Sequence, residues 1–357
     1  MPEFPSKVTL ADIAKAADVS VPTVSKVLNG RDDVADATRR RVQRAVRDLR
    51  YESPQQKRTK SSGPALVDLV IDRLTSAYSV EVMRGIIDLA ATEQVEIVIS
   101  TINSRQARDA DAQQWADRLS ATGRRGLILV TSEVDANLFS SFKHHGISVV
   151  LVDPLGTPSN LVATVGATNW AGGKAAVEHL IGLGHRRIAY LGGPERAECN
   201  QARLHGYVAA LMDAGIDVDT ALIRSGDFRT DSGVQEFAAL LDSGQRPSAV
   251  FAGSDTIALG VMAEAHRRGI RIPHDLSIVG FDGTQLTEQS VPRLTSVAQP
   301  LHEIGRAALR TVLRLSRGEH PEVPHVELAT QLVVRDSTSA YIEASAPQAE
   351  NSPAAAR

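Results

Sequence analysis

Apolar positions within residues 8–51 recur at intervals of three or four residues, which predicts three short amphipathic helices. The first follows Thr9, whose hydroxyl can accept a hydrogen bond from an amide of the first turn. The second follows Ser20 and has Pro22 in its first turn, where the missing amide costs no hydrogen bond. The pair Asp18-Val19 between them has the length of the turn in a helix-turn-helix. The third helix covers about residues 37–50. Predicted buried positions in the second and third helices are Val24, Val27, Leu28, Val42, Ala45, Val46 and Leu49.

The second helix carries small and polar groups without a carboxylate on the face opposite its apolar stripe, and such a face can enter the major groove of DNA. Its residues are Val21, Pro22, Thr23, Ser25, Lys26 and Asn29. The third helix and its flank are rich in arginines suited to phosphate contacts. These are Arg39, Arg40, Arg41, Arg44, Arg47 and Arg50. The pattern favours a DNA-binding head over the alternative of a generic helical bundle.

From Leu66 onward, short apolar runs alternate with amphipathic segments of helical period, which predicts parallel sheets covered by helices on both faces. Predicted strands are 66–71, 96–100, 126–130, 149–152, 187–191, 222–225, 249–251, 276–279, 325–328 and 331–334. Predicted helices are 80–92, 110–121, 136–144, 170–183, 201–214, 232–241, 256–268 and 300–317. Two such series in tandem indicate two similar subdomains.

Charge is distributed unevenly along the 357 residues. Residues 1–60 hold 13 Lys and Arg against 8 Asp and Glu, while the remainder carries a net charge of −8. A basic head on an acidic body fits a head that meets phosphate and a body that does not. No run of eighteen apolar residues and no signal-peptide core occur, so we expect a cytoplasmic protein that does not meet a membrane. A single cysteine, Cys199, argues against a disulfide framework, and the histidine spacing argues against a metal site. We expect no cofactor.

The run from Val19 to Asn29, VSVPTVSKVLN, resembles the V-S-x-x-T-V-S-x-V-[LIV]-N signature of the LacI/GalR family of bacterial transcription regulators. A looser similarity continues to about residue 336. The resemblance implies a helix-turn-helix headpiece joined to an α/β core similar to periplasmic binding proteins, with two parallel-sheet subdomains. It also implies a homodimer that binds double-stranded operator DNA and a sugar effector. The implied boundaries are a headpiece at 1–51, a hinge at 52–64 and a core at 65–336. Residues 337–357 are rich in Ala, Ser and Pro without periodicity, which predicts a disordered tail. Within the core, the N-subdomain covers about 65–165 and 296–325, and the C-subdomain about 166–295 and 326–336.

Within the headpiece we expect Val21, Pro22 and Lys26 to face bases. Lys26 can donate to guanine, whereas the two apolar residues offer contact to a thymine methyl group. A further set would position the head on phosphates: Thr9, Ser20, Thr23, Ser25, Asn29 and Arg39.

The hinge segment departs from the family pattern. The family resemblance implies a leucine that is wedged into the minor groove, and Lys60 takes its place here. We hypothesise that Lys57, Arg58 and Lys60 hold phosphates or a narrow minor groove. The alternative is a flexible, solvated tether.

Ligands of open α/β sheets bind beyond the carboxyl ends of the strands, so polar residues at those ends are the candidate effector ligands. They are Asp72, Arg73, Tyr78, Asp153, Asn169, Arg203, Ser254, Asp255 and Asp282. Two aromatic residues join them: Phe228, whose ring could pack on the C–H face of a sugar, and Trp170, which could line the mouth of the cleft. The family resemblance points to the same region through Asp153, Arg203, Phe228 and Asp282. The aspartates could instead cap helices, and Tyr78 and Trp170 could instead be packing residues.

The segments VGATNWAGG, GGPERAECNQARLHGY and VELATQLVVRDST resemble actinobacterial members of the family near carbohydrate-catabolism genes. This resemblance implies a sugar or short oligosaccharide from plant polysaccharide, such as a xylo- or cello-oligosaccharide. The candidate residues also lack the cluster of Lys and Arg that a phosphorylated effector would want. A solute-binding protein without a DNA role is the alternative, although the helix-turn-helix argues against it. A sugar-modifying enzyme would need a catalytic pair or a metal, and the sequence shows neither, so we expect no enzyme activity.

Overall fold

The computed structural model describes residues 9–28, 34–49, 65–71, 73–101, 112–131, 136–155, 162–319 and 323–342. The chain divides into two compact units, Met1–Gly63 and Pro64–Arg357, and each is described by itself. No helix in these ranges is both long enough and apolar enough to span a membrane.

The first unit contains the three predicted helices: α1 (Leu10–Ala17), α2 (Val21–Leu28) and α3 (Asp36–Asp48). Thr9 and Asp12 form a reciprocal capping box at the start of α1, which satisfies two amides that the helix cannot. The core of this unit consists of Ile13, Ala14, Ala17, Val24, Val27, Val42 and Ala45. Leu49, predicted to be buried, lies beyond α3 and is 37% exposed, so that expectation is wrong.

The second unit contains two six-stranded sheets, as the alternating pattern predicts. The first has the strand order β11-β5-β4-β3-β1-β2 and is parallel throughout its recorded pairings. Its strands are β1 (Ala65–Ile71), β2 (Val95–Thr101), β3 (Arg124–Val130), β4 (Ser148–Val152), β5 (Ala163–Ala167) and β11 (His325–Leu328). Helices α4 (Ala77–Glu93), α5 (Ala112–Ala121), α6 (Ala136–His144) and α12 (Leu301–Ser316) belong to this subdomain.

The second sheet has the order β12-β10-β9-β8-β6-β7, and only the short β12 runs antiparallel to its neighbour. Its strands are β6 (Ile188–Gly192), β7 (Ile223–Ser225), β8 (Ala249–Ala252), β9 (Ser277–Asp282), β10 (Thr295–Ala298) and β12 (Gln331–Val333). The helices of this subdomain are α7 (Asn169–Gly182), α8 (Glu198–Asp213), α9 (Thr230–Asp242), α10 (Asp255–Arg267) and α11 (Leu286–Gln289).

The crossings between the subdomains differ from the expected boundaries. Strand β10, expected in the N-subdomain, pairs with β9 in the second sheet, and β11, expected mainly in the C-subdomain, pairs with β5 in the first sheet. The sequence pattern also does not predict β5 and β10 as strands. Both strands are short, with five and four residues, and such short segments show too little alternation of apolar and polar residues to be predicted as strands.

The segment 337–342, predicted to begin a disordered tail, is packed on the second subdomain instead. The Ser337 hydroxyl donates to the carbonyl oxygen of Ile278, and the amide of Tyr341 donates to the carbonyl oxygen of Leu183. Ser337 is fully buried, and its carbonyl and hydroxyl oxygens accept hydrogen bonds from the amides of Ile278 and Thr295. The remainder of the predicted tail, 343–357, lies outside the described residues.

Candidate functional site

The surface predicted to face the DNA groove lies on α2 of the first unit. Val21 is 41% exposed, and Pro22 and Lys26 are also exposed, while Val24 and Val27 face the core. The Ser20 hydroxyl accepts a hydrogen bond from the amide of Thr23 at 3.4 Å and lies 2.8 Å from the Thr23 hydroxyl. The face predicted to read bases is therefore presented to solvent on a helix whose other face is packed.

Basic groups accompany this surface. Arg40, Arg41 and Arg44 on α3 are exposed, Arg39 is half-buried, and Thr9 is exposed at the start of α1. Ser25 is half-buried on α2. Four predicted DNA contacts lie outside the described residues: Asn29, Lys57, Arg58 and Lys60.

A cavity of about 250 Å³ lies between the two subdomains of the second unit. The strands of both sheets end at it, which is where ligands of parallel sheets bind. Asp153 follows β4, Ser254 follows β8, and Asp282 ends β9. The predicted residues that line it are Arg73, Tyr78, Asp153, Arg203, Phe228, Ser254 and Asp282. We call this space the first cavity.

Arg203 lines the first cavity, and its side chain is almost wholly buried. Its Nε donates to Asn169 Oδ1 at 2.8 Å and its Nη1 donates to the carbonyl oxygen of Gly253 at 2.6 Å. The same Nη1 lies 3.6 Å from Asp282 Oδ1, and the guanidinium stacks 3.8 Å from the centre of the Phe281 ring. These contacts fix the orientation of the guanidinium.

Close packing of α7 and α8 places Arg203 beside Asn169. A Cβ on Gly173 would overlap the backbone of Arg203, and one on Gly206 would overlap the backbone of Trp170 and Lys174. Only glycine permits that approach. The sequence runs NWAGG and RLHGY thus bring the two helices together at the site.

Two buried carboxyl groups flank Arg203. Tyr78 donates its hydroxyl hydrogen to Asp153 Oδ2 at 2.6 Å, and Gln299 donates to Asp282 Oδ1 at 2.8 Å. Burial raises the pKa of Asp282 to about 8, although the Arg203 charge opposes the rise. Burial also raises the pKa of Asp153, and Arg203 again opposes it. Such shifts mark groups whose desolvation outweighs their ion pairing.

Strain is concentrated in the backbone at the same place. Asp153 (φ 43°), Thr131 (φ 50°) and Asp282 (φ 110°) all have positive φ, although none is glycine, and all three line the first cavity. Residues held in such conformations cluster at ligand sites, where the surrounding structure dictates them.

The structure does not bring every predicted ligand to the first cavity. Asp255 is fully buried, and its two oxygens accept hydrogen bonds from Thr284 and Ser296, so it ties α10 to β10 and does not reach a ligand. Trp170 is 48% exposed and lines neither of the two cavities of this unit described here. Asn169 is buried and orients Arg203 from behind. Asp72 lies outside the described residues.

Sequence reasoning missed several lining residues. They are Ser76, Thr131, Leu155, Pro194, Arg196, Cys199, Arg229 and Thr256. Asp227, which precedes Phe228 at a predicted strand end, also lines the cavity. Arg196 and Arg229, with Arg73 and Arg203, make four arginines around one cavity, which corrects the expectation that a basic cluster is lacking. Both lie in loops that follow strands, so the strand-end rule used for the other ligands could have found them.

A second cavity of about 690 Å³ adjoins the first through Asp153 and Cys199, which line both. It is bordered by β5 and β11 on one side and by α8 on the other, with His205, His325 and Glu327 among its lining residues. No cluster of three or more metal-ligating side chains occurs in the described part of the chain.

Known families and proteins match both units. Residues 9–54 match the family model of bacterial regulatory proteins of the lacI family, and residues 177–338 match a periplasmic-binding-protein-like domain. Catabolite control protein A of Priestia megaterium is 32% identical over 335 residues, covering 93% of this chain and 99% of the relative. The transcriptional regulator CelR of Thermobifida fusca is 34% identical over 338 residues, covering 92% and 98%. The repressor CytR of Escherichia coli K12 is 33% identical over 333 residues, covering 93% and 96%.

Solved structures agree with these matches. A CelR–cellobiose complex superposes with a TM-score of 0.70 at 32% identity, covering 92% of this chain and 99% of that one. The lac repressor dimer bound to operator and an anti-inducer superposes with a TM-score of 0.68 at 26% identity, covering 94% and 100%. With a helix-turn-helix unit, a two-subdomain core and full-length relatives that are transcriptional regulators and not enzymes, this chain belongs to the lacI family of bacterial DNA-binding transcription regulators.

Proposed function

We propose that the chain is a repressor that binds an inverted-repeat operator as a homodimer and responds to a small sugar or oligosaccharide in the first cavity. The observation that carries the proposal is a cavity between two subdomains that is lined by charged and polar side chains, in a chain that also presents an exposed α2 face. The relatives that bind operator as a dimer or hold cellobiose support it. Because its target is operator DNA, we place the protein in the cytoplasm.

The proposed DNA contacts follow from α2. Lys26 donates to a guanine edge, and Val21 and Pro22 make apolar contacts in the major groove. Thr9, Ser20, Thr23 and Ser25, with the arginines of α3, hold phosphates. Asn29 is proposed to join this set. We also propose that Lys57, Arg58 and Lys60 contact phosphates or the minor groove without the usual wedge.

The proposed effector contacts come from both subdomains. Asp153 and Tyr78 belong to the first, and Arg203, Asp282 and Phe228 to the second. Carboxylates accept hydrogen bonds from sugar hydroxyls, a guanidinium donates to them, and the half-buried Phe228 ring offers a flat apolar face.

The cavity is suited to control because contacts already cross it. Arg73 Nη2 donates to the carbonyl oxygen of Phe228 at 3.5 Å, and Leu155 packs in one cluster with Ala197, Cys199 and Phe228. A ligand that strengthens or replaces these contacts changes the relative arrangement of the subdomains. It alters DNA affinity only if it binds the two arrangements with different affinities.

A combined experiment tests this proposal. Thermal-shift screening of a sugar panel identifies the effector, since a bound ligand raises the melting temperature by mass action. Fluorescence anisotropy with a palindromic site selected from a randomised DNA library then measures operator binding with and without that sugar. A protein that binds no palindromic site at low salt would contradict the proposal. One that binds its site but responds to no small molecule would remove the effector half.

A further inference from the structure

The charged residues that line the first cavity differ in exposure. We call the buried ones the floor of the cavity and the more exposed arginines its mouth. The floor contains Asp153, Asp282 and Arg203, which are 6%, 5% and 2% exposed. The mouth contains Arg196 and Arg229, which are exposed, and Arg73, which is half-buried. Asp227 is the single carboxylate among the exposed lining residues in the described part of the chain.

The floor is nearly balanced within itself. The Arg203 guanidinium lies 3.6 Å from Asp282, and Asp153 accepts the Tyr78 hydroxyl hydrogen. Since burial raises the pKa of both carboxyl groups, the floor carries less negative charge than two ionised aspartates would. It therefore offers donors and acceptors suited to neutral hydroxyl groups.

The mouth differs from the floor in carrying three arginines, which come from three separate segments. Arg73 lies in the loop after β1, Arg196 in the loop before α8, and Arg229 directly before α9. Asp231 holds Arg229 through Nε and Nη2 at 2.8 and 2.7 Å. A guanidinium has five N–H donors, so this pair orients the group and leaves donors on its other edge. Converging arginines recognise carboxylate and phosphate groups through paired hydrogen bonds.

We propose that the effector is an acidic saccharide, whose hydroxyl groups lie on the floor and whose carboxylate or phosphate lies against Arg73, Arg196 and Arg229 at the mouth. This inference rests on the proposed sugar-responsive function and replaces the neutral effector expected from the sequence. A uronic acid or a sugar phosphate has the required division into a polyol part and an anionic part.

Matched ligand pairs test the proposal on the full chain by isothermal titration calorimetry. The probes are glucose, glucuronate and glucose 6-phosphate, together with xylobiose and glucuronosyl-xylobiose. At least one acidic probe is expected to bind about tenfold or more tightly than its neutral parent, as one charge-assisted hydrogen bond would produce. That preference should shrink as salt screens the exposed arginines. The glucuronate and phosphate arms show which anion the mouth accepts.

Substitutions test whether the preference for an acidic ligand depends on the arginines of the mouth or on any exposed arginine of the protein. The double substitution R196Q/R229Q should abolish the preference for the acidic probe while the protein still binds operator. The control is Arg271→Gln, because Arg271 is exposed and forms a similar two-point pair with Asp275, but lies outside the lining of the first cavity. It should keep the full preference.

Two results would overturn the inference. One is that the neutral parents bind as tightly as their acidic counterparts, and the other is that no acidic probe binds at millimolar concentration. In either case, operator binding measured on the same preparation, with its response to neutral sugars, shows whether the proposed function stands alone.

Discussion

Arg203 and Asp282 show how one buried pair can be both a structural element and a ligand-binding site. Removing a donor that satisfies buried acceptors is costly, because each acceptor left without a partner keeps the full penalty of its desolvation. The Arg203 guanidinium also supports Asn169 and the Gly253 carbonyl, so several polar groups depend on it. Its replacement should therefore affect folding and effector response together.

We expect Arg203→Gln to lower the free energy of unfolding by about 2–6 kcal/mol, because Asn169 Oδ1 and the Gly253 carbonyl oxygen would be left buried without a donor, at about 1–3 kcal/mol each. The variant should retain operator binding at low temperature and lose its response to the effector. Urea denaturation and operator anisotropy measure the two effects. Unchanged stability would show that the guanidinium does not stabilise these buried acceptors.

Asp282 should make stability depend on pH with a defined sign. Its folded-state pKa of about 8 exceeds the value of about 4 for an unfolded aspartate, so between these pH values the folded chain holds a proton that the unfolded chain has released. Stability from this group is therefore complete below about pH 4 and is lost as the pH rises toward about 8.

Asp282→Asn tests this dependence, since an amide does not titrate. The variant should show a flatter decline of unfolding free energy from mildly acidic to mildly alkaline pH than the unsubstituted protein. Urea denaturation across that range is the measurement. An equally steep decline in both proteins would mean that Asp282 ionises normally in the folded state.

At the scale of elements, glycines set how closely helices approach. A Cβ on Gly305 in α12 would overlap the carbonyl oxygen of Val82 in α4, and one on Gly85 in α4 would overlap the carbonyl oxygen of His302. This contact joins the first sheet's covering helix to the segment that returns from the second subdomain. The crossover is thus anchored by backbone proximity as well as by apolar burial.

Gly305→Ala should destabilise the protein by about 1–3 kcal/mol, the range for overpacking a well-filled core. The matched control is Gly182→Ala at the end of α7, where an added methyl group meets no neighbouring atom within 4 Å. The control should be neutral or slightly stabilising, because alanine restricts the unfolded chain. Equal melting temperatures for both variants would contradict the close approach.

The reading helix α2 supports a prediction of specificity. Lys26→Ala should cost about 1–3 kcal/mol in binding and relax preference at one base step of each half-site. Lys15→Ala is the control, because Lys15 is exposed on α1, away from the base-reading face of α2. Anisotropy with single-base operator variants is the measurement, and an unchanged preference profile for Lys26→Ala would remove its proposed role.

At the scale of the whole molecule, the head has an excess of basic residues and the body an excess of acidic ones. Affinity for DNA that depends on phosphate contacts falls with salt because bound counterions are released. The acidic body has no attraction for the DNA backbone, so the salt dependence should come from the basic head.

Operator affinity should therefore fall about 10³–10⁵-fold between about 50 and about 200 mM salt if the head makes about six to ten phosphate contacts. Anisotropy titrations over that range give the slope. A shallow slope would show that few of the arginines of α3 and the basic residues of the hinge segment reach the backbone.

The local pattern was sufficient to establish the element types and the family. Helical periodicity and capping residues are short-range features, so the three headpiece helices and most strands of the core followed from the sequence, as did the reading-helix motif. Strand-end polarity likewise anticipated Asp153 and Asp282 as residues of one site, because parallel strands end at a common edge. Arg203 lies on α8 and followed from the resemblance of the segment RLHGY to the family pattern.

Tertiary contacts decided the remainder. The short strands β5 and β10 exist because neighbouring strands pair with them, and residues 337–342 are ordered by bonds to a distant strand and turn. Asp255 is withdrawn from the cavity by partners about thirty to forty residues away. Arg196 and Arg229 come from loops apart in sequence, and their convergence with Arg73 at one mouth depends on how the two subdomains pack. The spacing of these arginines along the sequence does not encode how close they lie in the folded chain. Under the proposal of an acidic effector, it is their convergence at the mouth that selects an anionic ligand.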